Sequence, residues 1–167
     1  LFNMIAEVKK SSLSPDFINK NIDEAFFAGA EIQLDWLISR SLKLNTNASY
    51  VYTKNITAGT YLPQIPPTHG MLALNYRLDK KFETALTTLW AAAQNQVETG
   101  ETATAGHVIF NYDIHSTPIK IKKSYLQLFG GVDNILDKAY KNHLFSTRGL
   151  DYYEPGRNIF VILKWGW

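Results

Sequence analysis

Apolar and polar residues alternate along most of the chain. From Ala30, for example, Ala30, Ile32, Leu34, Trp36 and Ile38 occupy one set of alternate positions, and Glu31, Gln33 and Asp35 occupy the other. Successive side chains of a strand point to opposite faces, so a period of two predicts β-strands. The pattern predicts eight strands and no helix. The predicted strands cover residues 1–9, 30–39, 42–53, 72–78, 82–90, 107–114, 125–133 and 159–167.

The two faces of these strands differ in chemistry. The polar face carries charged and amide side chains, and the apolar face carries aromatic side chains toward the strand ends. These aromatic residues are Trp36, Tyr50, Tyr52, Tyr76, Trp90, Tyr112, Trp165 and Trp167. Transmembrane β-barrels show this arrangement, with apolar side chains facing lipid, polar ones facing the lumen, and aromatic girdles at both interfaces. A soluble sandwich or barrel with an apolar core is the alternative.

The connections between the predicted strands alternate in length. Short ones lie at 40–41, 79–81 and around 116–118, and long ones cover 10–26, 54–70, 94–106 and 135–157. Outer-membrane barrels have short periplasmic turns and longer extracellular loops. The alternation therefore favours a membrane barrel, with Trp167 at the periplasmic rim.

Composition narrows the class further. The 167 residues are 46% hydrophobic with a net charge of +2, which excludes a disordered chain and a dedicated nucleic-acid binder. The longest apolar runs, such as Ile159–Leu163, are far too short for a spanning helix. Cysteine is absent, so disulfides and thiolate sites are excluded. The first residues lack the features of a signal peptide and resemble the later part of a β-strand. We therefore expect the chain to be a piece of a longer protein.

Four segments resemble sequence motifs of TonB-dependent outer-membrane receptors. Motif 1 is Asn21–Ala25 with Gly29–Ile32, which resembles "N-I-D-x-A … G-x-E". Motif 2, Leu62–His69, is similar to "L-P-x-I-P-P". Motif 3, Val132–Tyr140, is similar to "V-x-N-L-F-D-K-x-Y", and motif 4, Glu154–Asn158, is similar to "E-P-G-R". The motifs stand in family order, and the chain ends on an aromatic residue as family members do.

The resemblance implies an all-β fold, in which residues 1–167 form about eight C-terminal strands of an antiparallel transmembrane barrel of about 22 strands. The plug domain, its TonB box and the earlier strands would lie outside this chain. The implied function is TonB-dependent uptake of a metal chelate across the Gram-negative outer membrane, with a ferric siderophore as the expected cargo and haem, cobalamin or copper as the other cargoes. The implied partners are outer-membrane lipid, lipopolysaccharide, TonB through the plug, and the barrel assembly machinery. No cofactor and no nucleic acid is implied.

Two other functions remain open from the residues alone. One is a self-contained eight-strand outer-membrane barrel serving as an adhesin, an anchor or a lipid enzyme, and the other is a soluble ligand-binding barrel. Enzymatic activity is not expected, because the four histidines are scattered without zinc-site spacing and no nucleophile or phosphate-loop motif occurs. Glu31 and Asp35 share a strand face and are interpreted as lumen residues rather than as an acid/base pair.

The last long loop supplies the candidate cargo residues. Arginine pairs bidentately with oxygen-rich anions, and aromatic rings suit catecholate or macrocyclic ligands. The candidates are Tyr140, His143, Arg148, Tyr152 and Tyr153. The alternative is that these residues only fold the loop or face lipopolysaccharide.

The last predicted strand carries a second candidate site. Its alternate apolar residues resemble the C-terminal signal that the outer-membrane assembly machinery reads. They are Ile159, Val161, Leu163, Trp165 and Trp167. Anchoring in lipid by interfacial aromatic side chains is the alternative, and both roles are compatible.

Overall fold

A computed structural model describes residues 2–10, 16–98, 100–146 and 152–167 and shows an antiparallel sheet of nine strands. The strands are β1 (Phe2–Lys9), β2 (Phe17–Leu37), β3 (Leu42–Asn55), β4 (His69–Arg77), β5 (Phe82–Ala91), β6 (His107–Ser116), β7 (Ile119–Ile121), β8 (Ser124–Asp133) and β9 (Asn158–Gly166). A four-residue helix, α1 (His143–Ser146), lies in the last connection, where no helix was predicted. Within the described ranges, no helix has the length and apolarity needed to cross a membrane.

The sheet is open. Strands β1 to β6 pair in chain order, β6 and the short β7 share one edge of β8, and β9 occupies the other edge of β8. Among the described residues, β1 and β9 do not pair with each other. The sheet therefore does not close into an eight-strand barrel. This contradicts the alternative of a self-contained eight-strand outer-membrane barrel and agrees with a sector of a larger barrel.

The register confirms the two predicted faces. On the apolar face, Leu34 lies opposite Thr46, Thr46 opposite Leu72, and Leu72 opposite Thr88. One residue along, the polar face runs from Asp35 through Asn45 and Ala73 to Thr87. Because a slip of one residue would exchange the faces, the pairing shows that the alternation was assigned correctly on these strands.

Strand β2 begins much earlier than predicted. It starts at Phe17 rather than near Ala30, so the long connection predicted over 10–26 is wrong, and only residues 10–16 join β1 to β2. Residues 17–24 pair with β1, while residues 25–37 pair with β3. In residues 17–24 of β2 the apolar residues Phe17, Ile18 and Ile22 do not alternate regularly with polar ones, so period-two hydrophobicity does not reveal this part of the strand.

The connection predicted around residues 116–118 is also wrong. Strand β6 continues to Ser116, Pro118 interrupts the pairing because it has no N–H, and β7 then runs to a tight turn at Lys122 and Lys123. Lys122 has a φ of 56°. The buried Ser116 hydroxyl accepts a hydrogen bond from the Leu128 N–H at 2.9 Å and so replaces a lost ladder bond.

Aromatic side chains lie toward both ends of the apolar face, as in the two girdles of a membrane barrel. Phe26 lies toward the loop end of β2, with its ring edge-on to that of Tyr52, and Trp36 lies ten residues along the same face. At about 3.4 Å per residue and a tilt of roughly 35–45°, ten residues span about 25 Å, which is the height of the apolar band of a barrel. Tyr76 and Trp165 lie at the same end as Trp36. We call this the turn end and the opposite end the loop end.

Candidate functional site

Motifs 1 and 2 pack against each other at the loop end. Leu62 is 1% exposed and contacts Ile22 and Ala25 of β2, which are also buried. Thr57 strengthens the attachment, because its hydroxyl accepts a hydrogen bond from the Glu24 N–H at 3.2 Å. The β3–β4 connection is thereby folded back onto the projecting part of β2.

Motifs 3 and 4 are joined through Asn134. This buried residue has a φ of 50°, a left-handed conformation that asparagine tolerates better than most residues. Its Oδ1 accepts from the Lys138 N–H at 2.8 Å, and its Nδ2 donates to the Lys138 carbonyl at 2.9 Å and to the Pro155 carbonyl at 3.4 Å. Its own N–H donates to Asn111 Oδ1 of β6 at 2.8 Å. Asn134 therefore fixes both ends of the last long loop to the barrel wall.

Asp137 makes a second link between the same motifs. It also has a positive φ, 52°, and its Oδ1 accepts a hydrogen bond from the Arg157 N–H at 2.8 Å. A Cβ atom added at Gly156 would lie 2.8 Å from this oxygen, which is too close. A side chain at position 156 would therefore have to displace the Asp137 carboxylate from its hydrogen bond with Arg157.

Polar contacts link the three long connections to one another. The Gln64 N–H donates to Glu101 Oε1 at 2.7 Å, and Gln94 Nε2 donates to the Ile65 carbonyl at 3.0 Å. Gln94 also forms a β-bridge with Thr104. Thr104 Oγ1 lies 3.1 Å from His143 Nδ1 in the last loop. The connections 56–68, 92–106 and 134–157 thus form one linked collar at the loop end.

A groove of about 340 Å³ lies where the last loop folds over strands β4 to β6. The Tyr140 ring contacts the His107 ring with centroids 4.4 Å apart, and the Tyr140 carbonyl accepts from the Glu154 N–H at 2.9 Å. Burial, reinforced by the nearby Glu154 carboxylate, raises the pKa of the Tyr140 phenol, which therefore stays a neutral hydrogen-bonding group. Aromatic, imidazole and carboxylate groups line the groove, including His69, Trp90, His107, Tyr140, His143, Phe145 and Glu154.

The structure brings together some of the predicted cargo residues. Tyr140 and His143 both line this groove, but His143 is 3% exposed and its ring contacts Thr104. Tyr152 and Tyr153 are 70% and 63% exposed, and Lys141 Nζ lies 4.7 Å from the Tyr153 ring centroid. Arg148 lies outside the described residues. Contact of these residues with cargo stays a prediction.

The polar face carries paired charges toward the turn end. Lys43 Nζ lies 3.6 Å from Asp35 Oδ1, and Arg77 Nε donates to Glu83 Oε1 at 3.0 Å. His115 of β6 bridges two carboxylates, with its ring nitrogens 3.7 Å from Glu83 Oε2 and 3.7 Å from Asp113 Oδ2.

Amide and aromatic groups connect these pairs into a belt across the sheet. Asn45 donates to Asp35 and accepts from Asn75 Nδ2 at 2.8 Å. At the other end, Phe129 stacks on His115, and Lys164 Nζ of β9 lies 4.7 Å from the Phe129 ring centroid. The polar face therefore satisfies most of its charge within the wall.

The terminal strand presents its predicted residues on one face. Ile159, Val161, Leu163 and Trp165 lie opposite Val132, Gly130, Leu128 and Leu126 of β8, respectively. All four are more than half exposed, and Trp167, just beyond the strand, is 93% exposed. An exposed apolar stripe of this kind fits lipid contact, and reading by the assembly machinery stays a prediction.

Sequence reasoning missed the residues that hold the loops in place. These are Leu62, Gln94, Thr104, Asn134 and Asp137. Motifs 2 and 3 contain three of them, but the resemblance of these motifs to the family gave the three residues no role in holding the loops. The available signal was the pair Asn134 and Asp137, residue types that tolerate positive φ and accept backbone N–H groups. In the described part of the chain, no group of three or more histidine or acidic side chains is arranged to hold a metal ion.

Comparisons with known proteins agree with this geometry. The family described as TonB dependent receptor-like, beta-barrel, matches residues 3–135. A search of curated proteins found no matching sequence.

Solved structures match over most of the chain. The copper transporter OprC is similar with a TM-score of 0.76 and 23% identity, over 98% of this chain and 25% of OprC. A mutant of the ferric enterobactin receptor PfeA from Pseudomonas aeruginosa is similar with a TM-score of 0.67 and 21% identity, over 88% of this chain and 23% of that receptor. The chain spans about a quarter of the length of these structures. It belongs to the β-barrel family of TonB-dependent receptors.

Proposed function

We propose that the protein containing this chain takes up a metal chelate across the Gram-negative outer membrane with energy delivered by TonB. The observation that carries the proposal is the family match over residues 3–135 of a sheet with one apolar and one polar face. In this role the apolar face contacts lipid, and the polar face lines a lumen that a plug domain fills. The chain itself contributes wall and loops rather than catalysis.

The collar at the loop end supports binding of cargo from outside. Three connections are linked by hydrogen bonds, so the groove beside Tyr140 is built on a scaffold that is already ordered. Preorganised groups lose less entropy when a ligand binds. The groove and the exposed Tyr152 and Tyr153 form the part of the cargo entrance that this chain supplies.

A ferric siderophore is the cargo we propose. The two similar structures are named for copper and for ferric enterobactin, and both names point to a metal-bearing cargo. The test is uptake of radioactive iron from a panel of ferric siderophores, and of radioactive copper, by cells that express the full receptor. Iron accumulation that disappears in cells lacking TonB supports the proposal. Iron accumulation equal to that of cells without the receptor contradicts it.

Arg148 and the pair Tyr152 and Tyr153 are proposed to contact the cargo. Arg148→Ala in the full receptor should weaken binding of the transported chelate about tenfold or more, since a charge-assisted contact contributes roughly 1.5–3 kcal/mol. Arg157→Gln is the matched control in the same loop, because among the described residues Arg157 forms its hydrogen bond through the backbone N–H and not through its side chain. Unchanged affinity in Arg148→Ala contradicts this assignment.

The terminal stripe is proposed to act as the assembly signal. Removal of Trp167 should lower the amount of folded receptor in the outer membrane, measured by heat-modifiable migration on gels. Leu136→Ala, at another exposed apolar side chain outside the stripe, is the control. Normal insertion without Trp167 contradicts the proposal.

A further inference from the structure

The short turns at the turn end share an excess of basic residues. Each of the three tight turns that join β2 to β3, β4 to β5 and β7 to β8 carries at least one. The basic residues are Arg40, Lys80, Lys81, Lys122 and Lys123, and all five are exposed. We call this set the basic rim.

The only acidic residue of these three turns serves the turn itself. Asp79 Oδ1 accepts hydrogen bonds from the Lys81 N–H at 2.6 Å and the Phe82 N–H at 2.8 Å. It interacts electrostatically with Lys81 and therefore offsets one positive charge of the rim. The three turns together keep a clear positive excess.

The rim differs from the basic residues of the wall in its pairing. Lys43 and Arg77 on the polar face each lie within 4 Å of a carboxylate. Among the described residues, no side chain of the basic rim forms such an ion pair. The basic residues of the polar face are therefore neutralised within the chain. Those of the basic rim are available to a partner outside the chain.

The girdle beside the turns sets the level of the rim relative to lipid. Arg40 follows Trp36 by four residues, and Lys80 follows Tyr76 by four residues. Trp36, Tyr76 and Trp165 lie on the apolar face and are each about half exposed. Interfacial aromatic side chains lie at the headgroup level of a bilayer, so the lysines and arginine just beyond them reach the phosphates.

The loop end lacks a comparable excess. The connection 92–106 carries Glu98 and Glu101 and no basic residue. The connection 134–157 carries four basic residues and three acidic ones. The charge asymmetry thus points to a partner at the turn end that is negatively charged and repeated along the barrel rim.

We propose that the basic rim binds the anionic phospholipid headgroups of the membrane leaflet that surrounds the short turns. Each lysine or arginine near an anionic membrane surface gains a roughly fivefold preference for it, and screening by salt weakens the attraction. With five such residues on one rim, anionic lipid stays bound to the receptor instead of exchanging freely with the surrounding bilayer.

The experiment uses the full receptor in nanodiscs that contain zwitterionic phosphatidylethanolamine and anionic phosphatidylglycerol. The lipid retained after extraction into detergent is counted by native mass spectrometry. The variant replaces all five basic residues of the rim with glutamine. The matched control replaces five exposed basic residues at the loop end with glutamine, namely Lys10, Lys20, Lys54, Lys138 and Arg157.

The expected result is retention of phosphatidylglycerol by the unmodified receptor and by the loop-end control, and a loss of about tenfold or more in the rim variant. Retention should also fall as salt is raised. Equal retention in the rim variant, or equal loss in both variants, would overturn the proposal. Heat-modifiable migration of all three proteins checks that each barrel is folded, and single substitutions at Lys80 or Lys122 replace the rim variant if it is not.

Discussion

At the residue scale, Asn134 links both ends of the last loop through its side-chain hydrogen bonds. Asn134→Ala removes its side-chain hydrogen bonds and leaves a left-handed backbone that alanine adopts at a cost of about 1 kcal/mol. We expect the local free energy of opening of residues 134–142 to fall by about 2–4 kcal/mol, measured by hydrogen exchange on the full receptor. Asn134→Gly, which keeps the backbone conformation, should lose less than Asn134→Ala.

Equal effects of alanine and glycine would show that the backbone conformation does not matter at Asn134. No effect of either would contradict its role as the link between motifs 3 and 4.

His143 gives the collar a dependence on pH. Burial lowers the pKa of its imidazole from 6.5, with the Glu101 carboxylate acting in the opposite direction. The folded loop therefore holds His143 neutral. As pH falls through about 6.5, the opened loop takes up a proton that the folded loop resists, so the folded loop loses stability.

The measurement is the opening free energy of residues 140–146 between pH 7.5 and pH 5.5, corrected for intrinsic exchange. We expect it to decrease toward pH 5.5 in the unmodified receptor and to decrease less in His143→Gln. Burial also lowers the pKa of His107, which contacts Tyr140 of the same loop, so His107→Gln should reduce the dependence without removing the part due to His143. An unreduced dependence in His143→Gln would assign the effect to another group.

At the scale of elements, Leu62 fastens the β3–β4 connection to β2. Leu62→Ala should destabilise this attachment by about 2–5 kcal/mol, because a fully buried leucine leaves a cavity when truncated. Protease cleavage within residues 56–68 is the measurement, and it should become faster. Tyr61→Ala, at the exposed neighbouring position, is the control and should leave cleavage unchanged.

Strands were predictable from the sequence where lipid acts on them. On β3 to β6 the bilayer demands apolar side chains at every second position, so Leu72 and Leu86 reveal both strand and face. Above the bilayer this demand ends, and residues 17–24 of β2 form a strand without the pattern. The turn at Lys122 was not predicted for another reason. The Ser116 hydroxyl accepts a hydrogen bond from the Leu128 N–H beside the interruption at Pro118, and this contact is visible only once β8 is paired.

The candidate site was less predictable than the strands. Tyr140 was found because aromatic residues in a long loop suggest ligand contact. Thr104 and Gln94 carry no such signal, since their roles depend on partners 39 and 29 residues away. Motifs identify which residues belong to the family, but only the folded loops show that motif 1 packs on motif 2 and that motif 3 binds motif 4.

At the scale of the whole molecule, the nine strands form a wall with one apolar and one polar face. The sheet is open and matches about a quarter of each similar structure. Its apolar face carries a girdle at each end, and its polar face carries a belt of paired charges. Both features fit a wall with lipid on one side and an aqueous lumen on the other.

Site-directed spin labelling of β3 in the full receptor, embedded in a bilayer, tests this central claim most directly. Single cysteines replace Thr46, Asn47, Ala48 and Ser49, in a chain without native cysteine. Collision of the spin label with oxygen reports contact with lipid, and collision with a water-soluble nickel complex reports contact with water. We predict high oxygen and low nickel accessibility at Thr46 and Ala48, and the reverse at Asn47 and Ser49. Water accessibility at all four positions, or alternation in the opposite sense, would contradict the assignment of this chain to the wall of a membrane barrel.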